Sequence, residues 1–188
     1  MSSRWMRVTR DPKSAMPLMP VQAMSIAGLL CVGEIICAPI YVSLSSGTLA
    51  LVPWAMVACL VAVVFTYTVG FALLWCAEAF SRRIRAAFVP LIYAAVGLVG
   101  FGAWGYFVIS AVMNSILEPL GHAALSSGQL AVVALNCAVL GLASFTAGYV
   151  MPFKLAAHRS AVVALGVLTA LAGLVGAFFM IQMYAVLY

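Results

Sequence analysis

Residues 35–77 read IICAPIYVSLSSGTLALVPWAMVACLVAVVFTYTVGFALLWCA, 43 residues without one acidic or basic side chain, bounded by Glu34 and Glu78. A helix that crosses the hydrocarbon core of a bilayer takes about 20 apolar residues. The stretch is too long for one crossing and right for two. The cluster Ser43-Leu44-Ser45-Ser46-Gly47-Thr48 divides it, because Gly and Ser punctuate helices. Pro53 then suits the first turn of the second helix, where a missing N–H costs nothing. Backbone polar groups in hydrocarbon must be satisfied within the segment or in a closed barrel. These runs are long and do not alternate as barrel strands do, so helices are the answer.

Apolar runs on either side extend the pattern to an all-α, polytopic integral membrane bundle of about five transmembrane helices. The expected spans are 21–44, 51–77, 87–114, 129–152 and 160–187, with ends good to about 4 residues. Composition agrees. The 188 residues are 66% hydrophobic and 7% charged, with mean hydropathy +1.20. A water-soluble domain carries about 25% charged residues. The whole chain, 1–188, is expected to form one transmembrane domain led by a basic segment, 1–20.

Charge placement supplies a test independent of hydropathy. All nine Lys and Arg fall in three clusters: Arg4, Arg7, Arg10 and Lys13; Arg82, Arg83 and Arg85; Lys154 and Arg159. Five spans put these clusters on one side of the membrane and leave 45–50, 115–128 and the tail, without Lys or Arg, on the other. Four or six spans would break that partition. Positive residues mark the cytoplasmic or matrix side, so the amino terminus is expected there and the carboxyl terminus opposite. A bacterial plasma membrane is the expected location, with an organellar inner membrane as the alternative. The net charge of +5 is thereby read as a topology signal, with anionic lipid headgroups as the partners of Arg4, Arg7, Arg10, Lys13, Arg82, Arg83 and Arg85, and not as a nucleic-acid surface. A cleaved signal peptide fits poorly, since the first run is too long and contains Glu34.

In lipid, small residues mark the faces where helices approach closely. The fourth span carries Ala134, Cys137, Gly141, Ser144 and Gly148; the fifth carries Gly166, Ala170, Gly173 and Ala177, with Thr169 and Gly176 alongside. Both repeat at about 3.5 residues, which predicts a tight antiparallel hairpin between spans four and five. Gly97, Gly100, Gly102 and Gly105 of the third span spread over more than half the helix circumference and name no single partner.

Glu34 is the residue that most needs explaining. An acidic side chain at mid-span costs about 2.5–3.5 kcal/mol on the insertion scale, so it should not face lipid. Ala23, Ala27, Cys31, Glu34, Ala38, Tyr41 and Ser45 fall on one helical face, a small and polar stripe that points Glu34 into the bundle or at another chain. Pro39 follows one turn later and disturbs the backbone ladder. With no cation at its depth, the carboxyl is expected to be neutral and to donate a hydrogen bond. Thr66, Tyr67 and Thr68 are the first expected partners, with Asn136 and Ser144 next; the six form the candidate proton or ligand site.

The five cysteines lie in apolar runs with no ligand spacing, so neither a metal nor a redox role is expected. His122 and His158 fall on opposite sides and cannot be axial ligands of one haem. An intramembrane enzyme would need two acids, a Ser/His pair or a metal cluster at one depth, and nothing of that kind is present. The sequence is silent on any cofactor. An enzyme is the least favoured of three functions, and two stand ahead of it. One is a non-enzymatic membrane-embedded subunit or accessory protein of a larger complex, partnered by other membrane chains or by itself. The other is a small proton, ion or solute transporter that acts as an oligomer, with Glu34 as the coupling group.

Overall fold

The computed structural model describes residues 18–155 and 158–187, and every regular element among them is a helix. Five helices are long and apolar enough to cross a membrane: α1 (Leu18–Leu44), α2 (Leu51–Ser81), α3 (Ala86–Leu117), α4 (Ser127–Val150) and α5 (Ser160–Leu187). The chain is therefore an integral, multi-pass helical membrane protein. The cluster of Arg4, Arg7, Arg10 and Lys13 lies outside the described residues.

Local chemistry explains where the helices stop and start. Past the end of α1, Ser46 (φ 53°) and Gly47 (φ 80°) take left-handed backbone, and the Gly47 N–H returns to the Val42 carbonyl at 2.9 Å. At the start of α4, the Ser126 hydroxyl accepts from the Gln129 N–H at 3.4 Å while the Gln129 side chain accepts from the Ser126 N–H at 2.8 Å, a reciprocal cap. The same Gln129 donates from Nε2 to the Leu44 carbonyl at 2.9 Å, which ties α4 to α1. Asn114 Oδ1 accepts from the Leu125 N–H at 2.9 Å, and Thr48 Oγ1 lies 3.2 Å from His122 Nε2. One end of the bundle is thus laced by polar bonds, while Glu118 and Pro119 beside it are exposed.

α1 is the centre of the bundle and packs on α2, α4 and α5; the most extensive contact is between α3 and α4. The small and polar stripe of α1 explains this place. Ala23, Ala27, Cys31, Glu34, Ala38, Tyr41 and Ser45 are all buried, and the short side chains let three helices approach.

The expected hairpin of α4 on α5 does not form. Instead α4 packs on α3 and α1, and α5 packs on α2 and α1. Gly141 sits on Gly97 of α3, and Gly148 on Ile26 of α1. On α5, Gly166 faces Met24 of α1, Gly173 faces Val63 of α2, and Gly176 rests on the Met56 carbonyl of α2. A small-residue stripe says that a face is close-packed; it does not say against which helix. Here α1, with a stripe of its own, meets both α4 and α5.

The glycines of α3 divide between two neighbours. Gly97, Gly102 and Gly105 turn to Gly141, Ala138 and Cys137 of α4, whereas Gly100 turns to Leu73 of α2. Two helices also contain a π-turn, Thr66–Gly70 in α2 and Gly105–Ile109 in α3. Between them lies the aromatic core. The fully buried Phe65 ring has its centroid 4.9 Å from Phe101, 5.5 Å from Trp104 and 6.3 Å from Phe145, joining α2, α3 and α4.

Candidate functional site

Glu34 is 0% exposed at the centre of the bundle. Two turns further along the same face of α1, the Tyr41 side chain leans back toward the start of its helix, as helical side chains do. Its hydroxyl lies 3.5 Å from Cys137 Sγ of α4 and within side-chain range of the Glu34 carboxyl. The Cys137 thiol in turn donates to Glu34 Oε1 at 3.9 Å, a long and weak S–H···O contact. Asn136, the neighbour of Cys137 on α4, donates from Nδ2 to the Tyr41 hydroxyl at 2.9 Å and also meets the Cys37 thiol.

The side chains thus form one connected cluster, Asn136 to Tyr41, Tyr41 to Cys137 and Cys137 to Glu34, in which either Tyr41 or Cys137 can donate to the other. The carboxyl is the terminal acceptor at Oε1, and Oε2 has no partner among the described residues. Cys137 is placed by α3 as well as by its own helix. It fills the space that a side chain on Gly105 would take, at the first residue of the α3 π-turn. On the α2 side, Cys31 Sγ donates to the Cys59 carbonyl at 3.8 Å, and Cys59 Sγ to the Cys31 carbonyl at 3.5 Å. The thiols here act as small polar side chains that close helix contacts.

Of the expected partners of Glu34, the structure brings in Asn136, through Tyr41. It does not bring in the three residues of α2. Thr66 is buried, but its hydroxyl donates to the Ala62 carbonyl of its own helix at 2.9 Å. The Thr68 hydroxyl does the same to Val64 at 2.6 Å, and both Tyr67 and Thr68 are exposed on the outer face of the helix. Back-bonding of this kind satisfies a hydroxyl in hydrocarbon without any partner helix. Ser144 is buried on α4 two turns from Cys137, and no hydrogen bond connects it to Glu34. Cys137 and Tyr41 were visible in the sequence only as members of packing stripes.

The cluster joins one acid to hydrogen-bonding side chains of two helices. It contains one acid, a phenol, an amide and thiols, but no base and no cation. No group of three His, Cys, Asp or Glu among the described residues is placed to hold a metal ion. Asn136 and Cys37 are half-buried, so the cluster runs from a sealed carboxyl to partly exposed side chains of α1 and α4. No family model matches the chain, and neither a curated protein nor a solved structure is significantly similar to it.

Proposed function

We propose that this protein is a non-enzymatic, membrane-embedded subunit or accessory protein that works by assembly within the bilayer. The observation that carries the reading is the use made of Glu34. An intramembrane acid is a functional candidate by default. Here the carboxyl is sealed from the surface and accepts from Cys137 of the same chain, as a tie between α1 and α4. What the protein presents outward is helix surface. Only 22%, 28% and 22% of the most apolar stretches of α3, α4 and α5 are buried, against 56% and 50% for α1 and α2. The connections between α1 and α2, α2 and α3, and α3 and α4 are short, so contact with other chains falls to those helix faces.

On this reading the amino terminus and the loops carrying Arg82, Arg83, Arg85, Lys154 and Arg159 face the cytoplasm of a bacterial plasma membrane, or the matrix of an organellar inner membrane, with the carboxyl terminus opposite, and the positive-inside asymmetry supports it. The deciding experiment is extraction from the native membrane in mild detergent followed by intact-complex mass determination. Other chains recovered in fixed ratio support the reading. A chain that runs alone or only with copies of itself overturns the hetero-complex.

The second reading, an oligomeric proton or solute carrier, is favoured by one observation, the hydrogen-bonded path from Glu34 to the half-buried Asn136. In that case Glu34→Gln abolishes proton-linked flux in vesicles while assembly stays intact. Flux that survives the substitution removes Glu34 from the mechanism.

A further inference from the structure

We propose that a notch at the end of α2 holds the headgroup of an anionic phospholipid, whose chains lie along the outward face of the same helix. The notch is a cavity of about 260 Å³ lined by Trp75, Glu78, Ala79, Arg82 and Arg83. Trp75, Glu78, Ala79 and Arg82 are spaced at i, i+3, i+4 and i+7, so they share one face. Along that face Trp75 comes first, one turn before the short Ala79, and the guanidinium groups of Arg82 and Arg83 follow at the helix end.

Charge sets the class of ligand. Glu78 engages Arg82 at 3.3 Å across one helical turn, which offsets one positive charge and leaves Arg83 to counter an incoming anion. Arg85 follows within the same exposed turn. The planar N–H fork of arginine matches phosphate oxygens in pairs.

Apolar surface sets the source of that phosphate. Trp75 is 68% exposed, and Phe71, one turn deeper on the same face, is exposed as well. Indole rings settle at the boundary between headgroups and acyl chains. A soluble phosphate has no use for that surface; a diacyl chain pair does. The proposal does not depend on the assembly reading, since it concerns one helix end of one chain.

The test uses the purified chain in phosphatidylcholine nanodiscs that contain a minor fraction of brominated lipid, either phosphatidylglycerol or phosphatidylcholine. Bromine quenches tryptophan at contact, and the difference between the parent and Trp75→Phe isolates the Trp75 signal. Brominated phosphatidylglycerol should quench Trp75 about five-fold more effectively than the same fraction of brominated phosphatidylcholine, the preference expected from about one basic side chain acting on an anionic lipid. Arg82→Gln with Arg83→Gln should remove the excess without changing the melting temperature, because both side chains are exposed. Equal quenching by the two lipids overturns the proposal, and so does an excess that survives the double substitution. Inorganic phosphate should leave the excess intact; its loss on adding phosphate, but not chloride at equal ionic strength, would assign the notch to a soluble anion instead.

Discussion

The contact most sensitive to a single methyl group is the crossing of α3 and α4. A Cβ added to Gly141 runs into the carbonyl oxygen of Gly97 and stands 2.7 Å from the Cβ of Phe101; one added to Gly97 stands 2.6 Å from the Cβ of Phe145. Non-bonded carbons settle at about 3.5–4.0 Å, so the two helices must part by roughly 1 Å. Backbone on both sides leaves no side chain free to yield. Parting also loosens the neighbouring contacts of Gly102 with Ala138 and Gly105 with Cys137, since a gap of 0.5–1 Å forfeits about a quarter to a half of each contact well. Overpacking of this kind costs about 1–3 kcal/mol. The higher helix propensity of alanine returns at most about 1 kcal/mol. Gly141→Ala should therefore destabilise the protein by about 2 kcal/mol in reversible unfolding by a denaturing detergent. Gly173→Ala is the internal control. The nearest atom to its added Cβ is Val63 Cγ1 at 3.5 Å, an ordinary contact, so this variant should be neutral or slightly more stable. Equal effects of the two substitutions, or a silent Gly141→Ala, would refute the crossing and the pairing of helices built on it.

Tyr41→Phe removes the hydroxyl that accepts from Asn136 and reaches Cys137, and should cost about 1–3 kcal/mol in the same unfolding assay; an unchanged midpoint would show that the cluster contributes nothing to stability. Glu34→Gln keeps an oxygen for the Cys137 thiol in the same volume and should fold and assemble within about 1 kcal/mol of the parent, whereas Glu34→Lys puts a cation where no acid remains and should fail to accumulate in the membrane. Ser126→Ala removes the cap of α4 and should lower stability by about 1 kcal/mol; a larger loss would mean that Gln129 also releases Leu44. A reporter after Tyr188 should read as external and one at the amino terminus as cytoplasmic, and activity of both on one side would exclude an odd number of spans.

The spans and the buried face of α1 could be read from the sequence because each follows from local arithmetic, the length of an uncharged run or the phase of a stripe. Pairing between helices needs a further quantity, depth. Glu34 lies ten residues before the end of α1, and Cys137 ten residues after the start of α4. Gln129 binds those two helix ends together, so at 1.5 Å per residue both side chains sit about 15 Å down. Asn136 shares that level and joins the cluster, while Ser144 lies about 10 Å deeper and does not. Cys31 of α1 and Cys59 of α2 bond reciprocally and so share a level; Glu34 lies three residues above it and Thr66 seven residues below, which puts Thr66 about 15 Å deeper than Glu34. Three consecutive residues such as Thr66, Tyr67 and Thr68 also span more than half a turn, so they cannot all face one neighbour. The hairpin of α4 on α5 failed for a different reason. Both stripes are close-packed faces, but adjacency in the chain does not fix adjacency in space. The stripe of α1 was the third candidate for the same contacts. Its seven buried members include the only acid in the described spans away from a helix end, and a side chain that must leave the lipid draws its helix to the centre of the bundle.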